Sequence, residues 1–217
     1  MKVGTDSILL ATWCNITGAK TILDVGTGSG IIALLLASRS KAMVHAVELD
    51  ENSFNEAKIN FNNFSGNQPS IFHDDFNNYA RVANQKYDLI ISNPPYFTNS
   101  LLPQNESRKA ARHTNTLNHE QLCKGVASLL SKTGGFYVVL PYDIANDFIS
   151  TAAKFNLYLH KQLIIYPKPG TQPNRVNMEF RFSKLQIIIT ENMLVRDENN
   201  NHSVQYKSYV SNYLTRI

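Results

Sequence analysis

The sequence predicts an α/β domain built on a mostly parallel sheet, and three observations carry that expectation. Residues 21–25 form a short aliphatic and β-branched run that passes into Asp24-Val25-Gly26-Thr27-Gly28-Ser29-Gly30 and then into an apolar helical stretch at 31–38. A strand, a glycine-rich turn and a helix in that order form the unit in which backbone approaches a bound nucleotide closely. Strand-like and helix-like stretches go on alternating down the chain, which favours parallel strands joined by helical crossovers. Finally, the apolar run 87–92 stops on Asn93-Pro94-Pro95-Tyr96. Neither proline has an N–H to donate and each restricts the residue before it, so the strand ends at Asn93.

That ending presents an amide side chain, a proline carbonyl and an aromatic ring beyond the carboxyl end of a strand, where ligands of open α/β sheets bind. The Asn93 side-chain oxygen and the Pro94 carbonyl are two acceptors for both hydrogens of a flat amino group, and Tyr96 can stack on the ring that bears it. An amino nitrogen pinned in this way has its lone pair aimed out of the ring plane. A plain strand-terminating turn is the simpler alternative, so the preceding motifs decide between them.

The glycine loop reads GxGxG with an acid two residues before its first glycine, unlike the GxGxxG of dinucleotide sites. Asp24 beside the loop disfavours a phosphate and favours an ammonium group, such as that of a methionine moiety. A second strand at 43–49 carries Glu48 near its end, eighteen residues past Gly30. That is the place from which a carboxylate accepts hydrogen bonds from ribose hydroxyls. Asp50 reads instead as the cap of a helix at 51–64. A short strand at 70–72 leads to His73-Asp74-Asp75-Phe76, where either acid can accept an adenine amino hydrogen and Phe76 can stack on the base. Upstream, a helix starts near Thr5 or Asp6. These two residues read equally as its cap or as a helix start that holds a ligand carboxylate.

After Tyr96, residues 97–118 show no pattern and contain Arg108, Lys109, Arg112 and His113. A stretch of roughly 20 irregular residues inside a domain points to function. Further elements are expected at 120–130 (helix), 135–140 (strand), 142–155 (helix), 158–166 (strand), 176–182 (strand), 185–190 (strand) and 205–213 (helix). The stiff basic loop 167–175 holds Lys168 and Arg175.

With 217 residues, 43% hydrophobic and 18% charged, the chain suits one buried domain, and no window reaches the ~20 apolar residues of a membrane span. Cys14 and Cys123 form no CxxC pattern and have no histidine cluster beside them, so neither metal nor disulfide is expected, and a cytoplasmic location is. The net charge of +4 is unevenly spread, with −2 over residues 1–93 and +6 over residues 94–217. A basic second half suits contact with a polyanion.

Taken together, these residues resemble the class I S-adenosylmethionine-dependent methyltransferases, and more narrowly the bacterial tRNA1(Val) adenine-37 N6-methyltransferase family. The resemblance runs along nearly the whole chain. It rests on Lys2-Val3-Gly4-Thr5-Asp6, the loop from Asp24 to Gly30, Val47-Glu48-Leu49-Asp50, Asn93-Pro94-Pro95-Tyr96, the segment from Arg108 through Ala111-Arg112-His113-Thr114, and Leu140-Pro141. It implies a single Rossmann-like domain over 1–217, with 1–93 mainly binding cofactor and 94–217 mainly binding substrate. The implied sheet has seven strands in the order 3-2-1-4-5-7-6, with strand 7 antiparallel. On that topology Asp24, Glu48, Asp75 and Asn93 face one cleft, and the loop 167–175 opens on the same edge.

The cofactor implied is S-adenosyl-L-methionine, held by Thr5, Asp6, Asp24, Gly26, Thr27, Gly28, Gly30, Glu48, Leu49, Asp75, Phe76 and Asn93. Asn93, Pro94, Pro95 and Tyr96 are the implied catalytic residues. Tyr96, Arg108, Arg112, His113, Lys168 and Arg175 are the implied contacts to tRNA at its anticodon stem-loop; the residues leave the oligomeric state open, with a monomer favoured. The family usually carries a basic segment ahead of the Lys2-Val3-Gly4-Thr5-Asp6 motif, and this chain begins at Met1 without it. Two other activities share Asn-Pro-Pro-Tyr: N5 methylation of a release-factor glutamine and amino methylation of rRNA or DNA. The first usually has an extra N-terminal helical domain, and the DNA version a separate recognition domain.

Overall fold

A computed structural model of the chain describes residues 4–95 and 117–213. Its elements run α1 (Thr5–Trp13), β1 (Thr21–Val25), α2 (Ile31–Arg39), β2 (Met43–Glu48), α3 (Glu51–Asn62), β3 (Ser70–His73), α4 (Phe76–Val82) and β4 (Tyr87–Ser92). After residue 116 they continue with α5 (His119–Leu129), β5 (Leu130–Pro141), a 3-10 turn (Tyr142–Ile144), α6 (Ala145–Ala153), β6 (Tyr158–Tyr166), β7 (Arg175–Arg181), β8 (Ile189–Leu194) and α7 (Val204–Val210). The strands form one sheet in the order β3-β2-β1-β4-β5-β7-β6-β8. Every pairing is parallel except the two that β7 makes with β5 and β6. This is the expected order with one strand added beyond β6.

Burial explains the central strands. Four of the five residues of β1 and five of the six of β4 are buried, so both faces of these strands are covered and their sequences are mostly apolar, each broken by one aspartate. Edge strand β3 has no buried residue and is correspondingly short. One face of the sheet packs against α1, α2 and α7 around Leu10, Leu36 and Tyr206; the other packs against α4, α5 and α6 around Tyr79, Val126 and Phe148.

Several boundaries differ from the sequence expectation, each for a local reason. The last strand lies at Ile189–Leu194 rather than 185–190, because pairing with β6 starts only at Ile189 opposite Lys161 and leaves Leu185, Ile187 and Ile188 exposed. Helix α4 is an addition: the Asp75 side chain accepts from the backbone N–H groups of Asn77 and Asn78, and Phe76 and Tyr79 are buried. Helix 51–64 stops at Asn62, and the expected helix 142–155 divides into a 3-10 turn and α6. Strand β5 begins at Leu130, directly after α5, rather than at Gly135.

Candidate active site

Sheet register builds the site. Val47, Val25, Ser92 and Val138 are successive cross-strand partners, so they form one row across β2, β1, β4 and β5. The residues that follow them, Glu48, Gly26 and Asn93, therefore leave the sheet side by side, with neighbouring strands about 4.8 Å apart. A cavity of about 460 Å³ opens at this edge. Gly26, Glu48, Leu49, Asp74, Asp75, Phe76, Ser92, Pro94 and Pro95 are among its lining residues.

The glycine loop is fixed from both sides. Gly26 and Thr27 N–H groups donate to the Val47 carbonyl at 2.9 and 3.2 Å, and the Gly28 N–H donates to Glu48 Oε2 at 2.8 Å. Glu48 Oε1 accepts from the Asp50 N–H at 2.9 Å, so this carboxylate joins the glycine loop to the start of α3. Asp50 itself caps α3 by accepting from the Ser53 N–H at 2.8 Å. Gly26 and Gly30 have φ of +68° and +86°, where side chains are disfavoured. A Cβ at Gly26 would meet no atom within 4 Å, whereas one at Gly30 would strike the Phe61 ring. Glycine at 30 thus serves packing, and glycine at 26 leaves open space beside the loop.

Asp24 lies behind the loop, fully buried. Its Oδ2 accepts from the Thr27 hydroxyl at 2.5 Å and the Ala33 N–H at 3.2 Å. Its Oδ1 is buried with no hydrogen-bond partner among the described residues. Desolvation pushes its pKa up to about 7, against the opposing pull of Thr27 and Ala33. Asp24 thus ties the glycine loop to the start of α2, and it is not among the residues lining the cavity.

Asn93 is tied to the first helix, its Nδ2 donating to Ser7 Oγ at 2.8 Å. This turns the amide so that Oδ1 occupies the opposite branch. Ser7 escaped the sequence reading although it directly follows Asp6 in the opening motif. Ser92 donates its hydroxyl to the Val25 carbonyl at 2.9 Å and fixes the same strand end to β1.

The remaining expected residues divide between this cavity and a second one. Thr5 and Asp6 line a second cavity with Lys168 and Arg175, and Asp6 Oδ2 accepts from Arg175 Nε at 2.8 Å. The structure thus joins a residue expected at the cofactor to one expected at the RNA. The Phe76 ring, expected to stack on a base, is only 4% exposed and packs so closely on Gly125 that a Cβ there would clash with it. Asp75 uses Oδ1 to cap α4, whereas the Asp74 N–H donates to the Glu48 carbonyl; both acids reach the cavity. Tyr96, Arg108, Arg112 and His113 lie outside the described residues. No group of three or more potential metal ligands occurs among the described residues. No helix among them is long and apolar enough to cross a membrane.

Comparison with known proteins gives the family and the fold. Residues 2–146 match the family model described as the methyltransferase small domain. A protein of Bacteroides thetaiotaomicron named tRNA1(Val) (adenine(37)-N6)-methyltransferase is 39% identical over 220 residues, covering 100% of this chain and 92% of its own. A protein of the same name from Proteus mirabilis is 36% identical, with 98% and 87% covered. Among solved structures, a predicted O-methyltransferase from Agrobacterium tumefaciens superposes with a TM-score of 0.70 at 14% identity, covering 95% of each chain. Magnesium protoporphyrin IX methyltransferase from Synechocystis, solved with its bound cofactor, gives 0.54 at 18% identity, with 82% and 77% covered. These last two likenesses show the fold, a class I methyltransferase fold.

Proposed function

Because the chain belongs to the methyltransferase small domain family, and within it to the tRNA1(Val) (adenine(37)-N6)-methyltransferases, we propose that it methylates N6 of an adenine in tRNA, A37 of tRNA1(Val), using S-adenosyl-L-methionine. The observation that carries this reading is the register that sets Asn93-Pro94 immediately beside the glycine loop and Glu48. A methyl donor held by the loop and an amine held by Asn93 would meet at that edge.

When bound, S-adenosyl-L-methionine supplies a methyl group activated by its sulfonium. The open space at Gly26 and the carboxylate of Glu48 fit such a ligand, and Glu48, Leu49 and the Asp74-Asp75-Phe76 corner would hold its adenosine end. Asn93 Oδ1 and the Pro94 carbonyl accept the two N6 hydrogens of an adenine extruded from its stack, with Tyr96 as its platform. Unpaired anticodon-loop bases cost least to extrude. The nitrogen sheds its proton only after becoming cationic, so the residues need to position rather than to act as a strong base. Lys168 and Arg175 stand on the same edge for the RNA backbone. The protein acts as a monomer in the cytoplasm on this reading.

The test is to incubate the purified protein with methyl-labelled cofactor and separate pools of tRNA, rRNA, DNA and release factor. Label should enter tRNA alone and be recovered as N6-methyladenosine after digestion. Recovery as methylated glutamine would move the protein to the release-factor activity, and label in rRNA or DNA would move it to the other alternative.

A further inference from the structure

The second cavity has a volume of about 360 Å³ and lies between the start of α1, the β6–β7 connection and the β8–α7 connection. Lys168, Arg175 and Arg196 line it against one carboxylate, that of Asp6, whose ion pair with Arg175 leaves an excess of two positive charges. We infer that this cavity is a binding site for a backbone phosphate of the RNA, with Lys168 and Arg196 as its cations. The inference rests on the proposed substrate class and adds to it a discrete contact point and a residue, Arg196, that belongs to no sequence motif noted above.

The cations are held on fixed backbone. The Lys168 carbonyl accepts from both the N–H and the hydroxyl of Thr171, closing a turn, and the Lys168 side chain makes no hydrogen bond among the described residues. The Arg196 N–H donates to the Pro167 carbonyl at 3.0 Å, and its Nη1 donates to the Asn200 carbonyl at 2.7 Å. The two connections are thus joined, and the planar guanidinium keeps further donors for an acceptor-only ligand such as phosphate. Asn174 and Asn200 also line the cavity.

Position selects a polymer over a free anion. Strands β6 and β8 end on the edge where β4 delivers Asn93, and β5 and β7 lie between β4 and β6. Three strand intervals are about 14 Å. A tRNA loop with one base inserted beside Asn93 can therefore lay the phosphate of a nearby nucleotide in the second cavity. Such a contact fixes register on the RNA without reading sequence.

The experiment measures tRNA binding by the full chain across a range of salt, for the parent, Lys168→Gln, Lys168→Gln with Arg196→Gln, and Arg196→Lys. Loss of a phosphate contact should flatten the slope of log affinity against log salt by about 1 in the double variant, with part of that loss in Lys168→Gln. Arg196→Lys should keep most of the slope, since it keeps the charge. Unchanged slopes in folded variants would overturn the site. Should the double variant fail to fold, Lys168→Gln alone decides, because its side chain supports no fold contact. Millimolar inorganic phosphate is the second probe. If it raises the melting temperature of the parent but not of Lys168→Gln while tRNA slopes stay parallel, the cavity is a small-anion site and the RNA assignment fails. A parent that binds tRNA with the expected slopes yet methylates none would overturn the proposed reaction and leave the phosphate site standing.

Discussion

Asn93 and Glu48 stand about two strand intervals apart on one edge, yet substituting them should give opposite phenotypes, because one faces the proposed amine and the other the glycine loop. Asn93→Ala should abolish methyl transfer while weakening the cofactor less than Glu48→Ala does, as read by calorimetry; a cofactor loss as large as that of Glu48→Ala would count against its role at the amine. Glu48→Ala should weaken the cofactor by about 1 to 3 kcal/mol, the usual loss for a charged hydrogen-bond partner. An unchanged dissociation constant would remove Glu48 from the site. Asp24 yields a prediction about pH. Its folded pKa, raised by burial to about 7, exceeds the value of roughly 3.9 expected in the unfolded chain. The folded state therefore binds the extra proton. The associated stability is fully present below pH ~4 and is lost as pH rises through about 7. Asp24→Asn cannot ionise, so its stability should fall less between pH 5 and pH 8 than the parent's. Denaturant midpoints at those two values measure the difference, and parallel declines would show that Asp24 is not the group titrating.

Among the elements, α4 shows what sequence could not supply. Its residues include Asn77 and Asn78 and give no clear helical period, so propensity argues against a helix there. It forms because Asp75 caps it, because Phe76 is buried against Gly125 of α5, and because Tyr79 is buried against Phe72 and Tyr87 of the sheet. Asp75→Ala should cost about 1 kcal/mol of stability through the lost cap, measured by chemical denaturation. A cofactor affinity lowered by much more than the stability change would give Asp75 a direct role at the cavity. In contrast, β1 and β4 match the residues expected for them, since both lie in the sheet centre, where burial on both faces selects a mostly apolar run. The glycine loop and Glu48 were legible for a similar reason, as their relation is a local spacing within one strand-helix-strand unit. Sequence could not reveal that Ser7 holds Asn93 or that Asp6 pairs with Arg175. Those pairs are 86 and 169 residues apart and meet only because α1 folds across the sheet edge.

At the scale of the molecule, the proposed division into a cofactor half and a substrate half would be one of chemistry alone, since the sheet runs through both. Strand β1 pairs with β4 and β4 with β5, and residues of β4 and β5 enter the cores on both faces. A ligand held by the first half should accordingly stabilise the whole. At a hundred times its dissociation constant, a cofactor adds about 2.7 kcal/mol. For a chain of this length each kcal/mol moves the melting point by roughly 2 to 4 °C, so saturating S-adenosyl-L-methionine should raise it by about 5 to 11 °C. The rise should come as one shifted transition, since unfolding β1 strips β4 of a partner and exposes both cores. Calorimetry with and without cofactor makes the check. Two transitions, of which the cofactor moves only the first, would mean that the halves melt independently despite the shared sheet.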